Sequence, residues 1–64
     1  MNFTYFMVYA DNQVPFSVGS TFLDLDFPIV TAGDIQKAEA KLREFLSWKS
    51  KYITLMDWKL VTRD

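Results

Sequence analysis

The chain has 64 residues, of which 50% are hydrophobic and 17% aromatic, with no Cys and no His. So short a chain is one domain, 1–64, that buries only about 60% of its unfolded surface; disulfides and a structural zinc site are excluded, which leaves oligomerisation as the expected staple. The net charge of −1 divides into four acids and no base over residues 1–36, then seven bases against four acids over 37–64, too balanced for a protein of duplex nucleic acid.

Residues 2–10 read as a strand. Phe3, Tyr5, Met7 and Tyr9 alternate with Thr4, Phe6, Val8 and Ala10, so both faces are apolar, as in a central strand. Asp11, Asn12 and Gln13 are turn-prone, and Pro15, which lacks a ladder donor, belongs beside the turn.

A second strand is expected over 16–27, closing a hairpin. Its apolar residues change phase, from Phe16 and Val18 to Leu23, Leu25 and Phe27. A β-bulge at Gly19 and Ser20 is the expected cause. Asp24 and Asp26 share a side, where charge guards an edge strand; a hydrated divalent cation is the alternative for the pair.

Thr31 and Asp34 have the spacing of a capping box, and a helix is expected over about 32–48. Ile35, Ala38, Leu42, Phe45 and Leu46 form its apolar stripe. Glu39 and Arg43 make an i,i+4 pair. A third strand follows over 52–62. Simple alternation puts Tyr52, Thr54, Met56, Trp58 and Leu60 on one face and Ile53, Leu55, Asp57, Lys59 and Val61 on the other.

The fold expected is α+β: a small ββαβ domain with a three-stranded, mainly antiparallel sheet in the order 2-1-3 and one helix packed on one face. Parallel pairing of the third strand with the second is the alternative, through a right-handed crossover. One helix covers only one face of such a sheet. The other face, carrying aromatics such as Tyr5 or Phe6 with Trp58, is expected to meet a second copy, a partner or a ligand.

No run of apolar residues reaches the length of a membrane span, and the N-terminus has neither the basic region nor the cleavage site of a signal peptide. A cytoplasmic location is expected, without membrane contact. Without His or Cys the usual catalytic bases, nucleophiles and metal ligands are missing, so no catalytic residue, metal or cofactor is expected.

Tyr5, Tyr9, Trp48 and Trp58 join a flat apolar body to a polar handle and suit a ligand or partner surface, with Lys59 as a neighbouring cation. Core packing is the competing role for each aromatic. Gly19, Ser20 and Thr21 offer amides and hydroxyls to a phosphate, in competition with the bulge. The basic second half suits an anionic ligand or the acidic half of another subunit; an ordinary solvated helix face is the plainer reading.

Tyr5-Phe6-Met7-Val8-Tyr9, Val18-Gly19-Ser20-Thr21, Pro28-Ile29, Asp34-Ile35 and Ile53-Thr54-Leu55-Met56-Asp57-Trp58 together resemble a family of very short bacteriophage and prophage accessory proteins. Members open on a strand of the type YFVSY, continue with a Gly-Phe-Gly-Asn-like segment and a Pro-Ile before a helix near Asp-Ile, and close on V-x-I-L-N-W. At Ser17-Val18-Gly19-Ser20 the first Gly, the aromatic and the Asn of that pattern are absent. The resemblance implies an antagonist of bacterial anti-phage defence. Such a protein works as a homo-oligomer that sequesters a nucleotide immune signal, or as an inhibitor that binds a host defence protein directly. A structural or lysogeny accessory role is the third expectation.

Overall fold

The computed structural model describes residues 2–46 and 52–63. The elements follow in the order β1 (Phe3–Asp11), β2 (Ser17–Leu25), α1 (Ala32–Phe45) and β3 (Ile53–Arg63). The sheet is antiparallel throughout, in the order β2-β1-β3. The strand that is apolar on both faces thus holds the centre, and the parallel alternative does not occur.

One face of the sheet and the helix enclose the core. Phe3, Tyr5 and Met7 of β1 meet Leu23 and Leu25 of β2, Ile53 and Leu55 of β3, and Ala38 and Leu42 of α1. Met7, Leu42 and Ile53 are fully buried, each worth about 1.5–3 kcal/mol of apolar transfer. Tyr5 takes its polar end into this core and satisfies it there: its hydroxyl accepts the Ile29 N–H at 2.8 Å. That bond ties the segment leading into the helix to the central strand.

The helix begins with the expected capping box. Thr31 is extended, its hydroxyl accepts the Asp34 N–H at 3.2 Å, and the Asp34 carboxylate accepts the Thr31 N–H at 3.0 Å. The carboxylate takes the Val30 N–H as well, at 3.1 Å. These backbone donors hold the Asp34 carboxyl below its ordinary range, because they bond the charged form. The helix ends at Phe45, three residues earlier than expected, with Leu46 as its cap. Of the expected stripe, Ala38 and Leu42 are buried, Ile35 and Leu46 half-buried, and Phe45 exposed.

β2 runs beside β1 in unbroken register, from Asp11 opposite Ser17 to Phe3 opposite Leu25. The bulge expected at Gly19 and Ser20 does not form. The apparent phase change arises because β2 carries apolar residues on both faces, Val18 and Phe22 on one and Leu23 and Leu25 on the other. Gly19 serves a different need: it lies directly opposite Tyr9, whose ring occupies the space a Cβ would fill.

The irregularities lie in β3. Its register against β1 shifts between Val8 and Tyr9 and again between Thr4 and Tyr5, leaving Met56 and Val61 as extra residues. Each extra residue inverts the alternation that follows. Trp58 therefore pairs with Met7 and Leu60 with Tyr5, on the helix side with Ile53 and Leu55, while Asp57 and Lys59 pair with Val8 and Phe6 on the opposite face. The two-face assignment made from alternation is overturned by these bulges.

The outer edge of β3 is also closed by the helix. Glu39 accepts the Leu55 N–H at 3.0 Å, Arg43 donates to the Ile53 carbonyl at 3.0 Å, and the two side chains approach within 3.3 Å of each other.

Candidate functional site

Residues directly paired across an antiparallel sheet project to the same side, so the face away from the helix can be followed row by row. Its central row is Phe22, Phe6 and Lys59; the next is Ser20, Val8 and Asp57; beyond it lie Val18, Ala10 and Thr54. At the other end Asp24, Thr4 and Thr62 form the last row, in which the Thr4 hydroxyl donates to the Asp24 carboxylate.

Two phenylalanines give this face its character. The rings of Phe6 and Phe22 are 5.2 Å apart between centroids and tilted by 59°, within the range of favourable aromatic pairs. Phe22 remains 60% exposed and Val18 59%. Lys59 flanks Phe6 on the other side and is exposed. The row thus places an open aromatic surface beside a cation. Asp57 is one row away, with its carboxylate accepting the Trp58 N–H at 2.9 Å.

The residues singled out from the sequence are distributed differently from expectation. Tyr5 is only 4% exposed, and its hydroxyl is engaged by Ile29. Tyr9 and Trp58 are half-buried and pack against the core on the helix side. Trp48 lies outside the described residues. Of the four that are described, Lys59 alone stands on the open face. Gly19 and Thr21 face the helix side and Ser20 the other, so the three residues alternate and do not converge on one point. The Thr21 hydroxyl donates instead to the Phe22 carbonyl at 3.3 Å.

Phe22 escapes the reading from sequence because a bulge accounts equally well for the phase change in β2. The signal was present in the even spacing of Phe16, Val18 and Phe22, which marks the second apolar face of a regular strand.

Other surfaces offer less. A shallow cleft in the β1–β2 connection is lined by Asp11, Gln13, Val14, Pro15 and Ser17. This loop is tied down: Asp11 accepts the Gln13 N–H, and the Asn12 side chain donates to the Tyr52 carbonyl and the Thr54 hydroxyl. The Val14–Pro15 bond within it is cis. Among the described residues no cluster of three acids could hold a metal ion, so Asp24 and Asp26 gain no third carboxylate. No described helix is long and apolar enough to cross a membrane.

With the fold and this face described, the class that they define is a small α+β ββαβ domain with one sheet face open. Comparison of the chain with family models, curated proteins and solved structures finds no match.

Proposed function

We propose that this chain is a small, non-catalytic binding protein that uses the open sheet face to hold a nucleotide. In the setting implied by its resemblance to short phage accessory proteins, it sequesters a nucleotide immune signal in the host bacterial cytoplasm, as a homo-oligomer. The observation that carries the reading is the row Phe22–Phe6–Lys59. Aromatic faces stack on bases at about 1–3 kcal/mol per base, and an adjacent cation meets the phosphate. The face commits no catalytic group: a lysine and two carboxylates lie among apolar residues and hydroxyls, without a nucleophile set against a base.

A second reading is favoured by a separate observation. Exposed apolar surface continues past the row on this face at Val18, and Phe16, Met56 and Val61 are further exposed apolar side chains of the chain. Exposed apolar surface of this kind suits direct binding of a host defence protein.

Native mass spectrometry of the protein purified from phage-infected, defended cells separates the two. The expected result is an oligomer carrying an added mass of nucleotide size that denaturation releases. Phe22→Ala and Lys59→Ala each reduce that occupancy by about tenfold or more, as loss of a stacking or phosphate contact implies. A complex with one host protein and no small-molecule mass would overturn the first reading in favour of the second.

A further inference from the structure

The two edges of the sheet are treated differently. The β3 edge is interrupted by the Met56 and Val61 bulges and occupied by Glu39 and Arg43. The β2 edge has an unbroken register over its nine residues, without proline and without bulge. Its one charge, Asp24, lies next to the end of the strand, and an edge otherwise free of such guards is a template for strand pairing.

The hydrogen bonds reveal which backbone groups that edge presents. The Leu55 N–H and the Ile53 carbonyl point away from β1, toward Glu39 and Arg43, while Asn12 donates its N–H to the Tyr52 carbonyl on the β3 side. Backbone groups alternate in direction along a strand, so Tyr9 and Asp11 point toward β2, where Gly19 and Ser17 meet them. The intervening residues of β2, Val18, Ser20, Phe22 and Asp24, then direct their N–H and C=O groups outward. Consistent with this, the Phe22 carbonyl takes a bond from the neighbouring Thr21 hydroxyl.

We infer that the β2 edge pairs antiparallel with β2 of a second copy, about a two-fold axis at Thr21, to make one continuous six-stranded sheet. Thr21 is the midpoint of Ser17–Leu25, so only this register overlaps the whole strand. It pairs Ser20 with Phe22 of the second copy and Val18 with Asp24, using every outward-facing residue. The two Asp24 carboxylates fall at opposite ends, each beside a valine. On the open face the two Phe22 side chains become diagonal neighbours across the seam, at about 7–8 Å between strands, within reach of aromatic rings. The Phe6–Phe22 pair of each copy is thereby joined into one four-ring ladder with a Lys59 at each end. A second copy fits this edge because its own apolar face completes the ladder. This deepens the proposed function and rests on its oligomer; the nucleotide is a separate matter.

The test uses purified protein without added nucleotide. The chain has no native Cys, so a single introduced thiol reports one position. Thr21 pairs with its own copy at a non-hydrogen-bonded position, where Cα atoms lie about 4.5 Å apart, inside the disulfide range. Thr21→Cys is expected to cross-link nearly completely on mild oxidation, and Val8→Cys on the open face is not. Wild type is expected to sediment as a dimer. Ser20→Pro removes an outward N–H without touching the β1 ladder, so it keeps the wild-type far-ultraviolet spectrum and sediments as a monomer. A dimer that cross-links through Val8→Cys and not Thr21→Cys would overturn the edge pairing and leave the oligomer standing. A wild-type monomer would overturn both, while nucleotide occupancy by native mass spectrometry would still judge the ligand separately.

Discussion

Tyr9 lies over Gly19, its direct partner across β1 and β2, so closely that a Cβ on residue 19 would sit 2.6 Å from both the ring Cζ and the hydroxyl oxygen. The backbone at Gly19 has no positive φ, so the glycine is there for space and not for conformation. Gly19→Ala is expected to displace the ring tip and destabilise the fold by about 1 kcal/mol, the lower end of overpacking costs. In a Tyr9→Ala background the same substitution is neutral or slightly stabilising, since glycine is a poor strand residue. Urea denaturation of the four proteins in this double-mutant cycle reads the coupling. Additive effects would show that the ring does not require the glycine.

Glu39 and Arg43 join the helix to the edge of β3. Glu39→Ala leaves the Leu55 N–H without its acceptor and is expected to cost about 1–3 kcal/mol. Arg43→Ala releases the Ile53 carbonyl and the ion pair together, and the two effects are less than additive because both residues serve one clip. Hydrogen exchange checks the location: the Leu55 amide exchanges faster in Glu39→Ala, while protection of the β1–β2 ladder changes only with global stability. A contribution of a few tenths of a kcal/mol, as for an isolated i,i+4 pair, would mean that the strand edge gains nothing from the helix.

The Asp34 carboxyl is held below its ordinary value of 3.8 by the Thr31 and Val30 amides. A depressed folded-state value means that the charged form is preferred in the fold. Its stabilising effect is complete above the unfolded value and is lost as pH falls from near 3.8 through the lower folded value. Asp34→Asn is therefore expected to lower the melting temperature at neutral pH, with a gap from wild type that narrows as pH drops below about 3.8. Thermal melts from pH 7 to pH 2 measure the gap; one that stays constant would separate the cap's contribution from the carboxylate's charge.

Much of the fold was legible because its signals are local or compositional. Apolar residues on both faces of β1 implied the central position, and Thr31 with Asp34 implied the helix start. The distribution of side chains over the two faces was harder, because alternation identifies a face only when the faces differ in polarity. In β2 both faces carry apolar residues, which made a regular strand resemble a bulged one. In β3, Met56 and Val61 are apolar like the residue before each, Leu55 and Leu60, so nothing in the sequence marks them as extra. That single ambiguity placed Trp58 with the binding residues and left Phe22 out, whereas Lys59 was placed on the open face only once the bulges set its pairing with Phe6.

The Met56 bulge makes an unusual prediction about deletion. Removing one residue from a regular strand inverts every side chain beyond it. At Met56 the reverse holds, because this residue has no partner of its own: Leu55 pairs with Tyr9, and Asp57 with Val8. Without Met56 the chain passes from inward Leu55 to outward Asp57 to inward Trp58 in plain alternation, and Ile53 and Leu55 keep their places. Deletion of Met56 is expected to change stability by about 1 kcal/mol or less, because Met56 is 58% exposed and surface changes of this kind are usually small. Deletion of Phe6 from β1, whose register against β2 has no bulge to absorb it, carries either buried Tyr5 or fully buried Met7 out of the core. It is expected to cost about 2–5 kcal/mol, as emptying a large buried apolar site does. Thermal and urea melts of the two deletions, made side by side, decide the matter. Equal losses would show that Met56 is a paired member of the strand and that Trp58 does not owe its place on the helix side to the bulge.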